Sequence, residues 1–190
     1  MTWEEIQKAT LDKVFSRTNY GVETPLNAAD VADYVKAMPA AANFALIDLA
    51  EIMPVYKTVQ VEGEAPVHLK EIAPDFLRLD RIYRDNLSAV MDYRLIGDAL
   101  YLADGEAVTV RYEALPKQVT EDTPGDTTFE LSEEAQRAIP LYIASQIFRE
   151  DDISMSIQYL NEYEDVKAML RLRMGQLQSG VGFTSVWGWA

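Results

Sequence analysis

The chain has 190 residues, of which 48% are hydrophobic and 25% charged, a composition typical of a folded globular protein with a packed core. It carries 31 acidic and 17 basic residues, a net charge of −14, which argues against binding nucleic acid through a broad basic surface. It contains no cysteine, which excludes disulfides, thiolate catalysis and cysteine-ligated metal sites.

Three helices are predicted in the first third of the chain. Thr2 and Glu5 have the spacing of a capping box, and an apolar stripe predicts a helix from Trp3 to Ser16. A second helix is predicted to begin with Asn27 as its N-cap. Pro39 is placed in the first turn of a third helix, because proline is tolerated there and not in a helix interior.

The middle of the chain is predicted to be β structure, because its apolar residues alternate with period two. Strands are predicted at Val55–Val61, Val67–Ile72, Phe76–Tyr83, Tyr93–Ile96, Leu100–Ala103 and Val108–Tyr112. The last three are predicted to form a meander. Its final turn, Asp104-Gly105, has the two-residue pattern of a type I′ hairpin.

The C-terminal half is predicted to be helical after an acidic loop. Ser132 is the predicted N-cap of a helix that Pro140 kinks or divides. Asp151-Asp152 marks the start of another helix, in which apolar residues keep helical spacing over five turns. These residues are Ile153, Ile157, Leu160, Tyr163, Val166 and Leu170.

This order of elements predicts an α+β fold. Its N- and C-terminal helices, at residues 1–52 and 132–178, form a helical bundle, and a small antiparallel β segment, 53–115, is inserted between them. Residues 116–131 are the acidic loop, so residues 1–178 are predicted to be a single domain. An aromatic C-terminal tail follows at 179–190. No membrane span is predicted, because the longest apolar-rich stretch is short and interrupted by charges.

No catalytic, cofactor-binding or metal site is predicted, since no common mechanism-bearing motif is present. Asp48 and Glu51 lie at i, i+3 and could reach one ligand, but a solvated helix edge is the favoured interpretation. Asp151-Asp152 is interpreted as a helix cap, and His68 as a half-exposed sheet residue. Lys167, Arg171 and Arg173 are interpreted as cations that complement a helix C-terminus.

The tail is the least ordinary feature of the sequence. Phe183, Val186, Trp187 and Trp189 lie among glycine, serine and threonine and cannot form a core by themselves. Either they fold back onto the domain, or they insert into a pocket of a partner, where tryptophan is a favoured anchor. The residues alone leave both alternatives open.

Several segments resemble the podoviral tail tubular protein A family. APDFLRL at 73–79, YRLIGDAL at 93–100 and VTVRY at 108–112 are similar to its strands. EALP at 113–116 and IPLYIAS at 139–145 resemble its proline-containing link and alanine-rich helix. The segment ASQIFREDD, between the last two helices, also resembles siphophage head-tail adaptors.

The resemblance implies a non-enzymatic structural protein of the virion that joins the capsid portal to the tail. It implies a homo-oligomeric ring, usually of twelve subunits, that contacts the portal protein and the tail or nozzle proteins, with DNA passing through its channel unbound. It implies no cofactor, no membrane, and assembly in the host cytoplasm. Adaptors of this family dock through their C-terminal region, which makes Phe183, Val186, Trp187 and Trp189 the portal-docking candidates.

Two other classes remain as alternatives. One is another phage neck or tail-completion protein, which would be mainly β. The other is a soluble regulatory or enzyme domain with an unrecognised site. An enzyme would need a convergent polar pocket, whereas a regulatory domain would bind through its helical faces and would be favoured by an aromatic tail buried against its own core. The acidic composition fits a channel wall that lets DNA slide, but it also fits simple solubility.

Overall fold

The computed structural model of the protein describes residues 1–15, 31–62, 66–102 and 107–179, with side chains through residue 175. It is 51% helical and 23% strand, with two small antiparallel sheets, which confirms the predicted α+β class. The chain divides into two compact units: a helical unit, Met1–Met53 with Lys117–Ala190, and a β unit, Pro54–Pro116. The predicted bundle arrangement of the helices stays a prediction.

The helices and strands follow in chain order. The helices are α1 (Trp3–Phe15), α2 (Ala32–Ile52), α3 (Leu69–Ile72), α4 (Glu133–Gln136), α5 (Ile139–Asp151) and α6 (Ile153–Ser179). The strands are β1 (Val55–Val61), β2 (Val67–His68), β3 (Phe76–Tyr83), β4 (Tyr93–Ile96), β5 (Ala99–Leu102) and β6 (Val108–Ala114).

Helix α1 begins with the capping box that the sequence predicts. The Thr2 backbone N–H donates to Glu5 Oε2 at 2.8 Å, and the Glu5 N–H donates to Thr2 Oγ1 at 3.2 Å. The buried side of the helix carries Trp3, Ile6 and Leu11. Both the cap and the apolar stripe of this helix are therefore confirmed.

The helix boundary predicted at Pro39 is wrong. Helix α2 runs without a break, and Pro39 lies inside it. An interior proline removes one hydrogen bond and costs about 3 kcal/mol. Pro39 is buried next to Met38, and the apolar burial of this side of α2 offsets that cost. The predicted N-cap Asn27 lies outside the described residues.

Pro140 divides the next helical segment, as predicted. The short helix α4 is capped by Ser132, whose Oγ accepts a hydrogen bond from the Ala135 N–H at 3.3 Å. Helix α5 then begins at Ile139, with Pro140 in its first turn, where the missing N–H has no helical partner to lose.

Helices α5 and α6 pack antiparallel against each other. The rings of Tyr142 and Tyr163 lie 5.1 Å apart, and those of Phe148 and Tyr159 are stacked at 5.8 Å. Asp152 forms the turn between the helices, since its Oδ1 accepts hydrogen bonds from the first backbone N–H groups of α6. The prediction that the Asp151-Asp152 pair caps a helix is confirmed for Asp152.

The acidic loop is held to the helical unit by hydrogen bonds to backbone groups. The Asn43 side chain of α2 makes a two-way pair with Val119, donating to its carbonyl and accepting from its N–H, both at 2.8 Å. The buried Gln136 amide donates to the carbonyls of Phe129 and Leu131. These bonds satisfy buried backbone groups and fix the loop.

The β unit contains two three-stranded sheets, ordered β1-β6-β3 and β2-β5-β4, and every strand pair is antiparallel. Strand β6 is central in the first sheet, and Val108, Val110, Tyr112 and Ala114 on its inner face are buried. This alternation places the core of the sheet on one face, as the period-two pattern predicts.

Two β predictions are wrong. The strand predicted at Val67–Ile72 is a strand only at Val67–His68, and the remaining residues form α3, which buries Leu69. The predicted meander is also wrong, because β5 and β6 lie in different sheets. Strand β6 is already paired on both sides and has no edge to offer β5. The predicted Asp104-Gly105 turn lies outside the described residues.

Within the described part of the chain, none of the helices has the length and apolar character needed to cross a membrane.

Candidate functional site

The predicted portal-docking residues, Phe183, Val186, Trp187 and Trp189, lie outside the described residues. The described chain ends with α6 at Ser179, directly before the segment that contains them. Their role therefore stays a prediction.

The paired carboxylates of α2 do not converge on a ligand. Glu51 is exposed, whereas Asp48 turns toward α6 and bonds to Tyr163 and Lys167. Among the residues that the structure describes, no group of three or more histidine or acidic side chains is arranged to hold a metal ion. His68 is half-exposed on β2, with its Nδ1 3.6 Å from Asp98 Oδ2.

Four polar side chains of the helical unit form an ion cluster: Asp48, Tyr163, Glu164 and Lys167. The Lys167 ammonium lies 2.6 Å from Asp48 Oδ2 and 2.9 Å from Glu164 Oε1. The Tyr163 hydroxyl donates to the same Asp48 oxygen at 2.7 Å. The side chain of Lys167 is only 8% exposed, so its charge depends on these two carboxylates.

Tyr163 and Lys167, the two buried groups of the ion cluster, are protonated at neutral pH. Burial, followed by the hydrogen bond to Asp48, raises the pKa of Tyr163 well above its ordinary value of 10.0. Burial alone would lower the pKa of Lys167, but its bonds to Asp48 and Glu164 outweigh burial and raise that pKa above 10.5. At neutral pH the phenol and the ammonium act as hydrogen-bond donors. This arrangement joins α2 to α6 and is unsuited to nucleophilic or base catalysis by these two groups.

Lys167 therefore has a different role from the one predicted. Helix α6 continues to Ser179, so Lys167 is not in its last turn and does not complement the helix C-terminus. Arg173 forms an ion pair with Glu134 of α4. These cations connect helices of the helical unit.

One side of α6 exposes apolar residues in a row, which we call the α6 stripe: Ile153, Ile157 and Leu160. Their exposed fractions are 62%, 52% and 37%. Their spacing of four and three residues places them on one face of the helix. The opposite side of α6, which includes Tyr159 and Tyr163, is buried in the core of the helical unit. Glu164 follows Leu160 by four residues on the same face, where it pairs with Lys167.

The outward face of the first sheet carries ion pairs between its own side chains. Arg78 pairs with Glu113, and Arg111 lies 3.3 Å from Asp80 and over the ring of Tyr56 at 4.1 Å. Both ion pairs form within one copy of the chain.

On the inner side of this sheet, Asp75 joins two strands. Its carboxylate accepts hydrogen bonds from Lys57 Nζ at 2.8 Å and from the Tyr112 hydroxyl at 2.9 Å. Partial burial acts to raise the pKa of Asp75, but the bonds from Lys57 and Tyr112 outweigh it and hold the pKa below its ordinary value of 3.8.

We expect Asp75→Asn to lower the free energy of unfolding by about 1–2 kcal/mol at pH 7. Because the pKa of Asp75 is depressed in the folded state, its stabilisation is complete above pH 3.8 and is lost as the pH falls through the folded-state pKa. The difference between the two proteins should therefore shrink below pH 3.8 in urea unfolding followed by circular dichroism. The exposed Asp85→Asn is the control. A difference that does not change with pH would contradict this account.

The second sheet has an outward face of a different kind, which we call the hairpin face: Arg94, Ile96 and Tyr101. Arg94 lies directly opposite Tyr101 in the β4–β5 pair, so both side chains are on the same side, and Ile96 is two residues along. Ile96 is 50% and Tyr101 41% exposed. In the described part of the chain no carboxylate lies within ion-pair distance of Arg94.

The turn of this hairpin fixes the register of the face. Gly97 has φ +64° and is followed by Asp98 as the second of two loop residues, between the paired Ile96 and Ala99. A positive φ at the first loop residue favours glycine. The two strands that carry the hairpin face are therefore joined by a short, conformationally restricted turn.

A further apolar protrusion follows β3. Leu87 is 82% exposed and has φ 63°, an unfavourable conformation for a non-glycine residue. Its turn is held by hydrogen bonds from the Leu87 N–H to the Arg84 carbonyl and from the Arg84 N–H to the Ser88 carbonyl, both at 2.9 Å. The exposed Leu87 is thus presented on an ordered turn.

Comparison of the sequence with protein-family models and with curated proteins gives no match.

Proposed function

We propose that this protein is a non-enzymatic head-to-tail adaptor of a phage virion. It joins the portal to the tail as a homo-oligomeric ring around the DNA channel. The observation that carries the proposal is the exposure of apolar and aromatic side chains on regular elements of both units, the α6 stripe and the hairpin face. Exposed apolar patches on ordered elements are typical of proteins that assemble with partners.

The positions of the resembling segments support the adaptor family in particular. The segment at 73–79 leads into β3, the segment at 93–100 spans β4 and the start of β5, and the segment at 108–112 lies in β6. IPLYIAS, at 139–145, opens α5. Each segment that resembles a strand or helix of the family thus occupies an element of the same type.

The charge of the chain also fits a ring around DNA. All charged side chains between Glu121 and Glu134, in the acidic loop and the start of α4, are acidic, and they are exposed. A wall of such charge repels phosphate and so lets DNA pass without being held. In this proposal the acidic surface of the helical unit lines the channel.

The portal contact is assigned to the tail residues Phe183, Val186, Trp187 and Trp189. Large aromatic side chains on a terminal segment without charge are suited to insertion into a pocket of the portal. The other partners are the tail or nozzle proteins and further copies of the same chain, and the location is the neck of the virion.

Deletion of residues 180–190 is expected to abolish binding to the portal ring encoded in the same genome, measured by co-sedimentation. The deletion begins after the end of α6, so thermal unfolding should be unchanged. The variant Trp187→Ala with Trp189→Ala is the finer test and should lose most of the binding. If the full-length chain binds and the deletion binds equally, docking through the tail is wrong. If the full-length chain does not bind, the adaptor function is wrong.

A further inference from the structure

The loop between β3 and β4, residues 84–92, forms a small hairpin that its own hydrogen bonds hold together. The Arg84 N–H donates to the Ser88 carbonyl, and the Leu87 N–H closes the turn on the Arg84 carbonyl, both at 2.9 Å. The Asn86 Oδ1 accepts from the Ser88 N–H at 3.0 Å. These bonds define a loop of three residues between Arg84 and Ser88, and this loop is ordered up to its tip.

The last residue of this three-residue loop is a leucine with a left-handed backbone. Leu87 has φ 63°, and hairpins of this kind usually have glycine at the position, because a side chain strains such a backbone. Burial does not offset the strain, since Leu87 is 82% exposed. A strained residue that is held in place and exposed to solvent is typical of a site that contacts a partner.

The rest of the β3–β4 loop adds a second exposed apolar side chain and acidic charge. Met91 is 86% exposed. The exposed charged residues of the loop are Asp85 and Asp92, whereas Arg84 is only partly exposed and takes part in an interaction of its own. The exposed arginines next along the chain belong to the strands β3 and β4. A pocket that suits this loop is therefore apolar, with a basic group at its rim.

We infer that the β3–β4 loop docks on the tail or nozzle protein, with Leu87 inserted into an apolar pocket of that protein. The proposed function requires two different partners, and its portal contact is assigned to residues 183–189, which follow the helical unit. The β3–β4 loop belongs to the β unit. This inference rests on the proposed function and names the surface that meets its second partner.

Two other partners suit the loop less well. A second copy of the chain has a net charge of −14, which disfavours contact with the exposed acidic residues of the loop. A membrane surface is disfavoured because Leu87 and Met91 offer little apolar area, and Asp85 and Asp92 beside them are repelled by anionic lipids.

The ring compensates for the small size of one such contact. A single leucine side chain covers little area, but a homo-oligomeric ring presents the loop once in every subunit. Contacts that form together on one partner assembly gain avidity. Loss of the Leu87 side chain from every subunit should therefore have a large effect on binding.

Leu87→Gly tests the inference, because stability and binding are expected to change in opposite directions. Glycine adopts a positive φ without strain, so the urea midpoint of the full-length chain should rise slightly, and the greater freedom of glycine in the unfolded chain offsets only part of this gain. The variant should still form its layer on the portal ring. Co-sedimentation of the tail or nozzle protein encoded in the same genome with that layer should fall by at least about tenfold.

A second variant and a matched control complete the experiment. Leu87→Asn should lose the tail or nozzle protein in the same way, because asparagine tolerates a left-handed backbone but presents a polar side chain. Leu77→Ala removes another leucine of the β unit, 53% exposed on β3, and should bind the tail or nozzle protein like the natural chain.

The outcomes separate this inference from the proposed function. A lower urea midpoint for Leu87→Gly, or undiminished binding of the tail or nozzle protein by both Leu87 variants, would overturn this inference alone. Leu87 variants that fail to form the layer would also overturn it, because the loop would then contact the portal or another copy. A natural chain that leaves the portal bare, or whose layer does not bind the tail or nozzle protein, overturns the proposed function and this inference together.

Discussion

Asp48→Ala is expected to lower the free energy of unfolding by about 2–3 kcal/mol, because it removes the acceptor on which two buried groups of the ion cluster depend. The Tyr163 hydroxyl loses its 2.7 Å hydrogen bond, and Lys167 keeps only Glu164, which is itself half-exposed. The loss is smaller than for a fully buried ion pair, since the Asp48 side chain is 36% exposed and partly screened by water. Chemical denaturation of the full chain measures it.

Glu51→Ala is the matched control for this substitution. It removes a carboxylate from the same helix, one turn further on, where the side chain is exposed. We expect a change of less than about 0.5 kcal/mol. Equal effects of Asp48→Ala and Glu51→Ala would contradict the account of the ion cluster.

Trp3→Ala is expected to have the largest effect of any substitution considered, about 3–5 kcal/mol, because it empties a large site in the core of the helical unit. Trp3 is 2% exposed, and its ring packs edge-on against Phe129 at 6.4 Å. Its backbone N–H also donates to the Thr127 carbonyl at 2.8 Å. The Trp3 ring and this backbone hydrogen bond both hold the acidic loop against α1, and alanine removes only the ring contact and the core volume.

Trp3→Phe separates packing volume from aromatic character. Phenylalanine keeps an aromatic ring next to Phe129 and fills much of the same space, so its cost should be clearly smaller than that of alanine. Denaturation midpoints of the two variants give the comparison. If Trp3→Ala is as stable as the natural chain, the burial of Trp3 and its contact with Phe129 are not part of the native core.

Rules based on neighbouring residues correctly predicted the elements that neighbouring residues determine. The capping box of Thr2 and Glu5 fixed the start of α1, and Ser132 and Pro140 together predicted the break between α4 and α5. The alternation at Val55–Val61 likewise identified β1. In each case the residues that cause the structure lie within a few positions of it.

The wrong predictions concern elements whose structure depends on residues that are far apart in the sequence. Pro39 breaks helices by its local chemistry, but burial of the α2 side on which it lies overrides that tendency. The predicted meander is wrong because β6 pairs with β1 and β3, which are distant from it in the sequence. Pairing over long separations is not encoded in the turn residues alone.

The sequence predicted one apolar row along α6, and the structure divides it: Ile153, Ile157 and Leu160 are exposed, whereas Tyr163 and Leu170 are buried. Helical spacing places Ile153, Ile157 and Leu160 on one face of α6, yet it cannot tell a buried face from an exposed one. The packing of Tyr159 and Tyr163 on the other side decides it. The ion cluster was hidden for another reason, because Asp48 and Lys167 are brought together only by the fold.

Negative-stain imaging of the portal ring with and without the full-length protein tests most directly whether this chain forms a ring-shaped layer on a portal. The account predicts an additional ring of density at one end of the portal, coaxial with its channel, which appears only when the protein is added. A portal that looks the same in both samples, with the protein remaining monomeric and unbound, would contradict it.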